Sequence, residues 1–211
     1  MPVGPHRSER NALCDLFVRV GPSAPTLCEG WTTTDLATHL VVRERKPLAA
    51  LGLVVGPLAA TLRATMARTQ AGHSYESLVA LVRSGPPAVL RPFDAAMNLT
   101  EFFIHHEDVR RGGGDNTARP VSEIGEVEEA LWRAMGRGAR LATRGLGAVG
   151  LDLVHDDGRV VHARRGEQTA VLRGRPGELA LYLSGRKGAA AVVLEGPPSA
   201  TEAVERARFG I

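Results

Sequence analysis

The chain is poor in three kinds of residue, and each shortage excludes a class of protein. Among 211 residues there are two cysteines and no Cys-x-x-Cys pair, so no disulfide framework is expected, as suits a protein of a reducing compartment. Aromatic residues make up only 4%, so the core must consist of aliphatic side chains. Lysine occurs twice, the arginines are dispersed among acids, and the net charge is +3. This pattern argues against a nucleic-acid-binding protein.

Long hydrophobic runs are also missing. The longest apolar stretch, Leu48 to Leu62, is interrupted by Gly52, Gly56 and Pro57 and is too short for a membrane span of about 20 residues. The N-terminal residues lack the apolar segment of a secretory signal. These observations predict a cytoplasmic protein with no membrane partner. The apolar stretch itself predicts a segment that faces the core or lines a pocket.

Helical patterns dominate the first two thirds of the chain. Leu13, Leu16 and Phe17 fall on one helical face. The segment Thr32-Thr33-Thr34-Asp35 predicts the start of another helix, because Thr and Asp oxygens accept hydrogen bonds from free backbone N–H groups. A long helix from about Phe93 is expected to end at Gly112-Gly113-Gly114. A further helix is expected from Ser122 to about Thr143.

The pattern changes to alternating apolar and polar residues after Gly147. Residues 150–155 and 160–164 flank the turn Asp156-Asp157-Gly158, which predicts a β-hairpin. A third strand, a helix from Pro176, a fourth strand at 189–194 and a last helix at 199–208 are expected after it. The chain is therefore predicted to be an α+β protein, with a helical domain at 1–145 and a small α+β domain at 147–211.

The most informative segment is the helix predicted at 98–111. Glu101 and His105 are four residues apart, so their side chains lie on one face, one turn from each other. His39, on the helix that follows the threonine cluster, is a third candidate ligand. Two histidines and a carboxylate would leave one position of a divalent metal open, as in catalytic zinc sites. Spacing alone leaves a second interpretation, in which all three are solvated positions on amphipathic helices.

Two further polar residues extend the same helical face. Asp108 is spaced to accept a hydrogen bond from His105, as a metal-bound histidine usually requires, or to pair with Arg43 or Arg111. Asn98 lies one turn before Glu101.

Other potential ligands are weaker candidates. His106 lies about 100° around the helix from His105 and is not expected to bind the same ion. Cys28 is either a further ligand, a reactive thiol or a packed loop residue, and Cys14 is expected in the core. His155 and His162 flank the hairpin turn and are expected to be solvated strand residues.

Three segments together resemble one known family. They are residues 30–40, the helix at 98–111, and residues 179–186. They are similar to the actinobacterial metal-binding proteins related to mycothiol-dependent maleylpyruvate isomerase, and most of all to a subfamily whose function is unassigned. The resemblance implies a DinB-like four-helix bundle followed by a small α+β domain that is like sterol-carrier protein.

The resemblance also implies a site. His39, Glu101 and His105 match the family's ligands of a divalent metal, most often zinc. Mycothiol, a low-molecular-weight thiol, would be the cofactor, and the metal would stabilise its thiolate. Arg186 matches an arginine of the isomerases' C-terminal domain, and Arg186 or Arg43 would hold an acidic substrate through a planar guanidinium.

These observations favour a metal-dependent thiol transferase or isomerase that acts on a small, acidic molecule, as a monomer or a dimer. One alternative is a non-catalytic protein that binds an apolar small molecule and whose metal is structural, which the segment Leu48 to Leu62 suggests. The other is a metal-dependent hydrolase, in which the same residues would hold a metal-bound hydroxide.

Overall fold

The computed structural model describes residues 4–46 and 59–209. Within these ranges the protein has eight α-helices and one four-stranded mixed β-sheet, so the predicted α+β class is confirmed. The chain divides between Asp115 and Asn116 into two compact units. Each unit has its own cluster of buried apolar side chains.

Five helices form the described part of the first unit. They are α1 (Pro5–Val20), α2 (Thr33–Arg45), α3 (Ala59–Ala71), α4 (Tyr75–Ser84) and α5 (Asp94–Arg111). Helices α1, α2, α4 and α5 share one core, to which they contribute Phe17, Leu40, Leu78 and Phe102, all fully buried. This shared core holds α2 and α5 together, which matters for the site below.

The second unit combines three helices with the sheet. Its elements are α6 (Val121–Ala142), β1 (Gly150–His155), β2 (Val160–Arg164), β3 (Thr169–Gly174), α7 (Pro176–Leu183), β4 (Val193–Glu195) and α8 (Pro198–Arg206). The strand order is β2-β1-β3-β4. Strand β1 pairs antiparallel with β2 and parallel with β3, and β4 pairs antiparallel with β3.

The boundary between the units differs from the expected one near residues 145–147. Helix α6 belongs to the second unit, because its Trp132 and Met135 are buried in one cluster with Leu151 and Leu172 of the sheet. The amphipathic pattern of α6 shows that one face must be buried, but the pattern does not reveal which partner covers that face.

Most predicted elements are present with small shifts. The hairpin is confirmed, and Gly158 at its turn has a φ of 93°, which favours glycine. The fourth strand is shorter and begins later than predicted: residues 187–189 form a 3₁₀ turn, and β4 covers only Val193–Glu195. Of the apolar stretch Leu48 to Leu62, residues 48–58 lie outside the described part of the chain. Among the helices of the described ranges, none is long and apolar enough to cross a membrane.

Candidate metal centre

His39 is positioned by the way α2 begins. Thr32 Oγ1 accepts from the backbone N–H of Asp35, and the Asp35 carboxylate accepts from the Thr32 N–H at 2.9 Å, a capping box that confirms the predicted helix start. Leu36 and Leu40 of α2 are fully buried, so the adjacent His39 is also drawn beneath the surface. The indole of Trp31 packs with its centroid 5.4 Å from that of the imidazole.

Helix α5 carries the other two predicted ligands. Its core residues Phe102 and Val109 are buried against the neighbouring helices, which turns Glu101 and His105 toward α2. Glu101 Oε1 lies 3.1 Å from His105 Nε2 and 3.2 Å from His39 Nε2. The three residues that the sequence singled out are therefore brought together.

The arrangement fits a divalent metal. A tetrahedral zinc ion with bonds of about 2.1 Å holds its ligand atoms about 3.4 Å apart, close to the two separations from Glu101. One ligand atom from each of the three residues lies within 4.8 Å of the other two. The side chains of His39 and His105 are 5% and 9% exposed, whereas that of Glu101 is 26% exposed. The cluster is thus closed on its histidine side and accessible beside Glu101.

The charges around Glu101 favour its ionised form. Burial would raise the pKa of this carboxyl, but hydrogen bonds from His105 and His39 and the nearby Arg43 guanidinium hold the pKa well below its usual range. Burial is also the largest influence on His39 and lowers its pKa, which favours the neutral imidazole. Metal ligation requires a deprotonated carboxylate and neutral imidazoles, so the pKa shifts of Glu101 and His39 both favour the protonation states that bind a metal.

His105 has a carboxylate behind it as well. Burial would lower its pKa, but a hydrogen bond to Asp108, with further contributions from Cys28 and Glu101, holds the pKa well above its ordinary value. His105 Nδ1 lies 2.9 Å from Asp108 Oδ2, and Asp108 is fully buried. Asp108 therefore occupies the orienting position that the sequence predicted. A metal ion must displace a proton from His105 when it binds.

Arg43 faces the cluster, and each of its three guanidinium nitrogens has a partner. Its Nε lies 3.2 Å from Glu101 Oε1, its Nη1 donates to Asn98 Oδ1, and its Nη2 donates to the carbonyl of Met97 at 2.9 Å. These contacts make Arg43 a positioning residue for Glu101. Asn98 acts on the ligands through Arg43, one step further away.

Arg186 belongs to the second unit. It follows Gly185, whose φ is 86°, and its Nη1 donates to the carbonyl of Ser184 at 2.6 Å. A role for Arg186 in holding a substrate stays a prediction.

A loop ties Cys28 to the end of α5. The backbone N–H of Leu27 donates to the carbonyl of Asp108 at 3.0 Å, and Cys28 Sγ lies 3.2 Å from Asp108 Oδ2. The loop also touches Gly112, where a Cβ atom would lie 2.3 Å from the carbonyl oxygen of Pro25. Only glycine permits this close approach.

A buried charged network, which was not predicted from the sequence, lies next to Arg43 and shares Asn98 with it. Arg10, with 3% of its side chain exposed, donates to Glu44 at 2.7 and 2.9 Å and to Asp94 at 2.7 Å. Asn98 Nδ2 donates to Glu44 at 2.9 Å and to Asp94 at 2.6 Å. A signal was available, because Arg10 precedes Leu13 by three residues and so lies on the apolar face of its helix.

The remaining histidines have other partners. His106 Nδ1 lies 2.8 Å from Glu9 Oε1, and both side chains are buried. His162 faces Asp152 at 2.8 Å on the sheet. Glu129, His155 and Asp157 also form a cluster that could hold a metal, but there the Arg159 guanidinium bonds to both carboxylates.

Comparison with known proteins adds no identity to this picture: no family model matches the chain, and no curated protein or solved structure matches it significantly. The function must therefore be argued from the site.

Proposed function

We propose that the protein is a metal-dependent enzyme of the thiol-transferase or isomerase type, with zinc held by His39, Glu101 and His105. The observation that carries the proposal is the convergence of these three side chains from α2 and α5 on one partly accessible point, with separations of 3.1 and 3.2 Å. Three protein ligands with one position left over are typical of catalytic zinc, whereas structural zinc usually has four.

The residues around the ligands suit this role. Bound zinc would lower the pKa of a thiol or water in the open position, so that a nucleophile forms near neutral pH. Asp108 accepts from His105 Nδ1 and thereby directs the Nε2 lone pair toward the metal position. Arg43 holds the Glu101 carboxylate, and Trp31 packs against His39.

The family resemblance extends the proposal to the cofactor and the fold family. On that basis the first unit is a DinB-like four-helix bundle and the second is similar to sterol-carrier protein. Mycothiol is the proposed thiol, and the substrate is a small molecule that Arg186 helps to bind if it is acidic. The protein would act in the cytoplasm as a monomer or a dimer.

Metal content and thiol-dependent turnover test the proposal together. We expect about one zinc ion per chain in protein purified without a metal-affinity column, and its loss in His105→Ala with unchanged helical content. His162→Ala, which removes a histidine from the sheet, is the matched control and should keep the metal. Zinc-loaded protein should transfer or isomerise electrophiles only when a thiol is added.

Two results would overturn this assignment. Retention of zinc by His105→Ala would show that the metal lies elsewhere. Turnover without added thiol would instead assign a hydrolase that uses a metal-bound hydroxide.

A non-catalytic binding protein is the second candidate, and one observation favours it. Val18, Pro22, Tyr75, Val79 and Ala80 contribute to an apolar depression of about 610 Å³ between α1 and α4. Pockets of this size and character hold small molecules. An apolar compound that copurifies with the protein, together with no thiol-dependent turnover, would support this candidate.

A further inference from the structure

The carboxylate of Asp108 faces a thiol as well as an imidazole. Cys28 Sγ lies 3.2 Å and His105 Nδ1 lies 2.9 Å from the same oxygen, Asp108 Oδ2. One ligand atom from each of these three residues lies within 4.8 Å of the other two. A thiolate, an imidazole and a carboxylate are all established zinc ligands, and the sulfur favours thiophilic divalent ions.

This second cluster is held in place by its surroundings. Asp108 is fully buried and His105 nearly so, while Cys28 is half-buried. The loop that carries Cys28 is fixed by the hydrogen bond from the Leu27 N–H to the Asp108 carbonyl and by that from the Cys28 N–H to Thr26 Oγ1 at 3.2 Å. The thiol therefore reaches Asp108 as part of a defined loop structure.

We infer that Cys28, His105 and Asp108 form a second position for a divalent metal ion, on the other side of the His105 ring from the His39–Glu101 position. This inference rests on the proposed function only in sharing His105 as a ligand. Binding there would displace the protons of the Cys28 thiol and of His105 Nδ1.

The two positions exclude each other because a neutral imidazole has one lone pair and one N–H. When the ion lies with His39 and Glu101, Nε2 binds it and the Nδ1–H donates to Asp108. When the ion lies with Cys28 and Asp108, Nδ1 binds it and the Nε2–H donates to Glu101, whose oxygen is 3.1 Å away. Each tautomer of His105 thus has a carboxylate that accepts its proton.

Soft metal ions should compete with zinc for His105. An ion that prefers sulfur should settle beside Cys28 and take His105 away from the first position. Such an ion would inhibit any zinc-dependent activity, and removal of the Cys28 thiol should relieve that inhibition.

Cobalt(II) is a suitable probe, because a bound thiolate adds an intense near-ultraviolet charge-transfer band to its visible ligand-field bands. The full-length, metal-free protein is titrated with Co²⁺ and its absorbance is recorded. We expect His39→Ala to bind one equivalent with the thiolate band. Cys28→Ser should bind one equivalent without that band, and His105→Ala should lose both kinds of signal.

Two further variants serve as controls in the Co²⁺ titration. Glu101→Gln weakens the first position but keeps an oxygen that accepts from His105 Nε2, so it should show the thiolate band even if His39→Ala fails to fold. Cys14→Ala removes the core thiol, which lies next to the Val79 carbonyl, and should leave the band unchanged.

Several results would overturn the inference. The first is a folded His39→Ala or Glu101→Gln protein that binds Co²⁺ without the thiolate band. The second is a thiolate band that is still present in Cys28→Ser. The third is simultaneous binding of two equivalents of Co²⁺ by the unmodified protein. These outcomes are independent of the proposed activity. Loss of thiol-dependent turnover with the band intact would reject the enzyme and leave the second position.

Discussion

Arg43 Nε lies 3.2 Å from Glu101 Oε1, the same oxygen that faces both imidazoles of the metal centre. The guanidinium reaches Asn98 and the Met97 carbonyl with its other nitrogens. A planar group with several donors is suited to this, since it fixes the carboxylate in direction as well as in charge.

Replacement of Arg43 should therefore weaken metal binding. We expect Arg43→Ala and Arg43→Lys to lower zinc affinity by about 10-fold, because residues that orient metal ligands commonly contribute 10- to 100-fold. Competition with a chromophoric chelator measures the change. Arg63→Ala, an exposed arginine of α3, is the control, and an unchanged affinity in both Arg43 variants would contradict the positioning role.

Asp108 should matter more than Arg43. We expect Asp108→Asn to lower zinc affinity by about 10- to 100-fold, since the carboxylate that fixes the His105 tautomer is lost. The same competition assay applies. Asp152→Asn removes the carboxylate from another Asp–His pair, on the sheet, and should leave zinc affinity unchanged. Equal affinities of the two variants would be incompatible with the role of Asp108.

The buried network around Arg10 should stabilise the helical unit. Arg10→Ala leaves Glu44 and Asp94 buried without their guanidinium, and removal of one partner from a buried ion pair costs about 3–5 kcal/mol. Arg83→Ala breaks an exposed pair with Asp15, worth at most about 1 kcal/mol. Urea denaturation of the zinc-free proteins compares the two. A loss below about 1 kcal/mol in Arg10→Ala would show that the network contributes little.

Gly112, which follows α5, should tolerate a side chain poorly, whereas the next residue, Gly113, should accept one. A Cβ at Gly112 would overlap the Pro25 carbonyl, whereas a Cβ at Gly113 meets nothing within 4 Å. We expect Gly112→Ala to lower the free energy of unfolding by about 1–3 kcal/mol, as overpacking does, and to weaken zinc binding. Thermal denaturation and zinc titration of both variants test this. Similar behaviour of the two would argue against a tight contact.

The two cysteines should differ in reactivity. Cys14 is fully buried, and burial raises the pKa of its thiol to about 11, so almost no thiolate forms near neutral pH. Cys28 is half-buried. Alkylation of the metal-free native protein should modify one thiol per chain, assigned to Cys28 by peptide mass spectrometry. Modification of Cys14 before unfolding would contradict the assignment of Cys14 to the core.

The sequence predicted the local parts of the site and not their assembly. The threonine cap of α2 and the spacing of Glu101 and His105 depend on neighbouring residues, so both could be predicted. The approach of His39 to this pair depends on the packing of α2 and α5 on a shared core. Periodicity does not determine such packing; only the family resemblance pointed to it.

Other features of the fold were less predictable for the same reason. Helix α6 has an amphipathic pattern that would suit either unit, and its attachment to the sheet is a tertiary choice. The contacts of Arg43 with Glu101, Asn98 and the Met97 carbonyl also depend on tertiary packing, and its expected role in holding an acidic substrate stays a prediction. By contrast, the burial of Arg10 could have been predicted, because its position in the sequence places it on the apolar face of its helix.

The hydrogen bond from the Leu27 N–H to the Asp108 carbonyl limits how the metal centre can open. It joins the loop before α2 to the last turns of α5, so the helices that carry the ligands cannot slide past each other by a turn, about 5.4 Å, without breaking it. Because Glu101 is the most exposed of the three ligands, we expect an ion to enter and leave beside its carboxylate. Rotation of this one side chain should then set the rate of metal exchange.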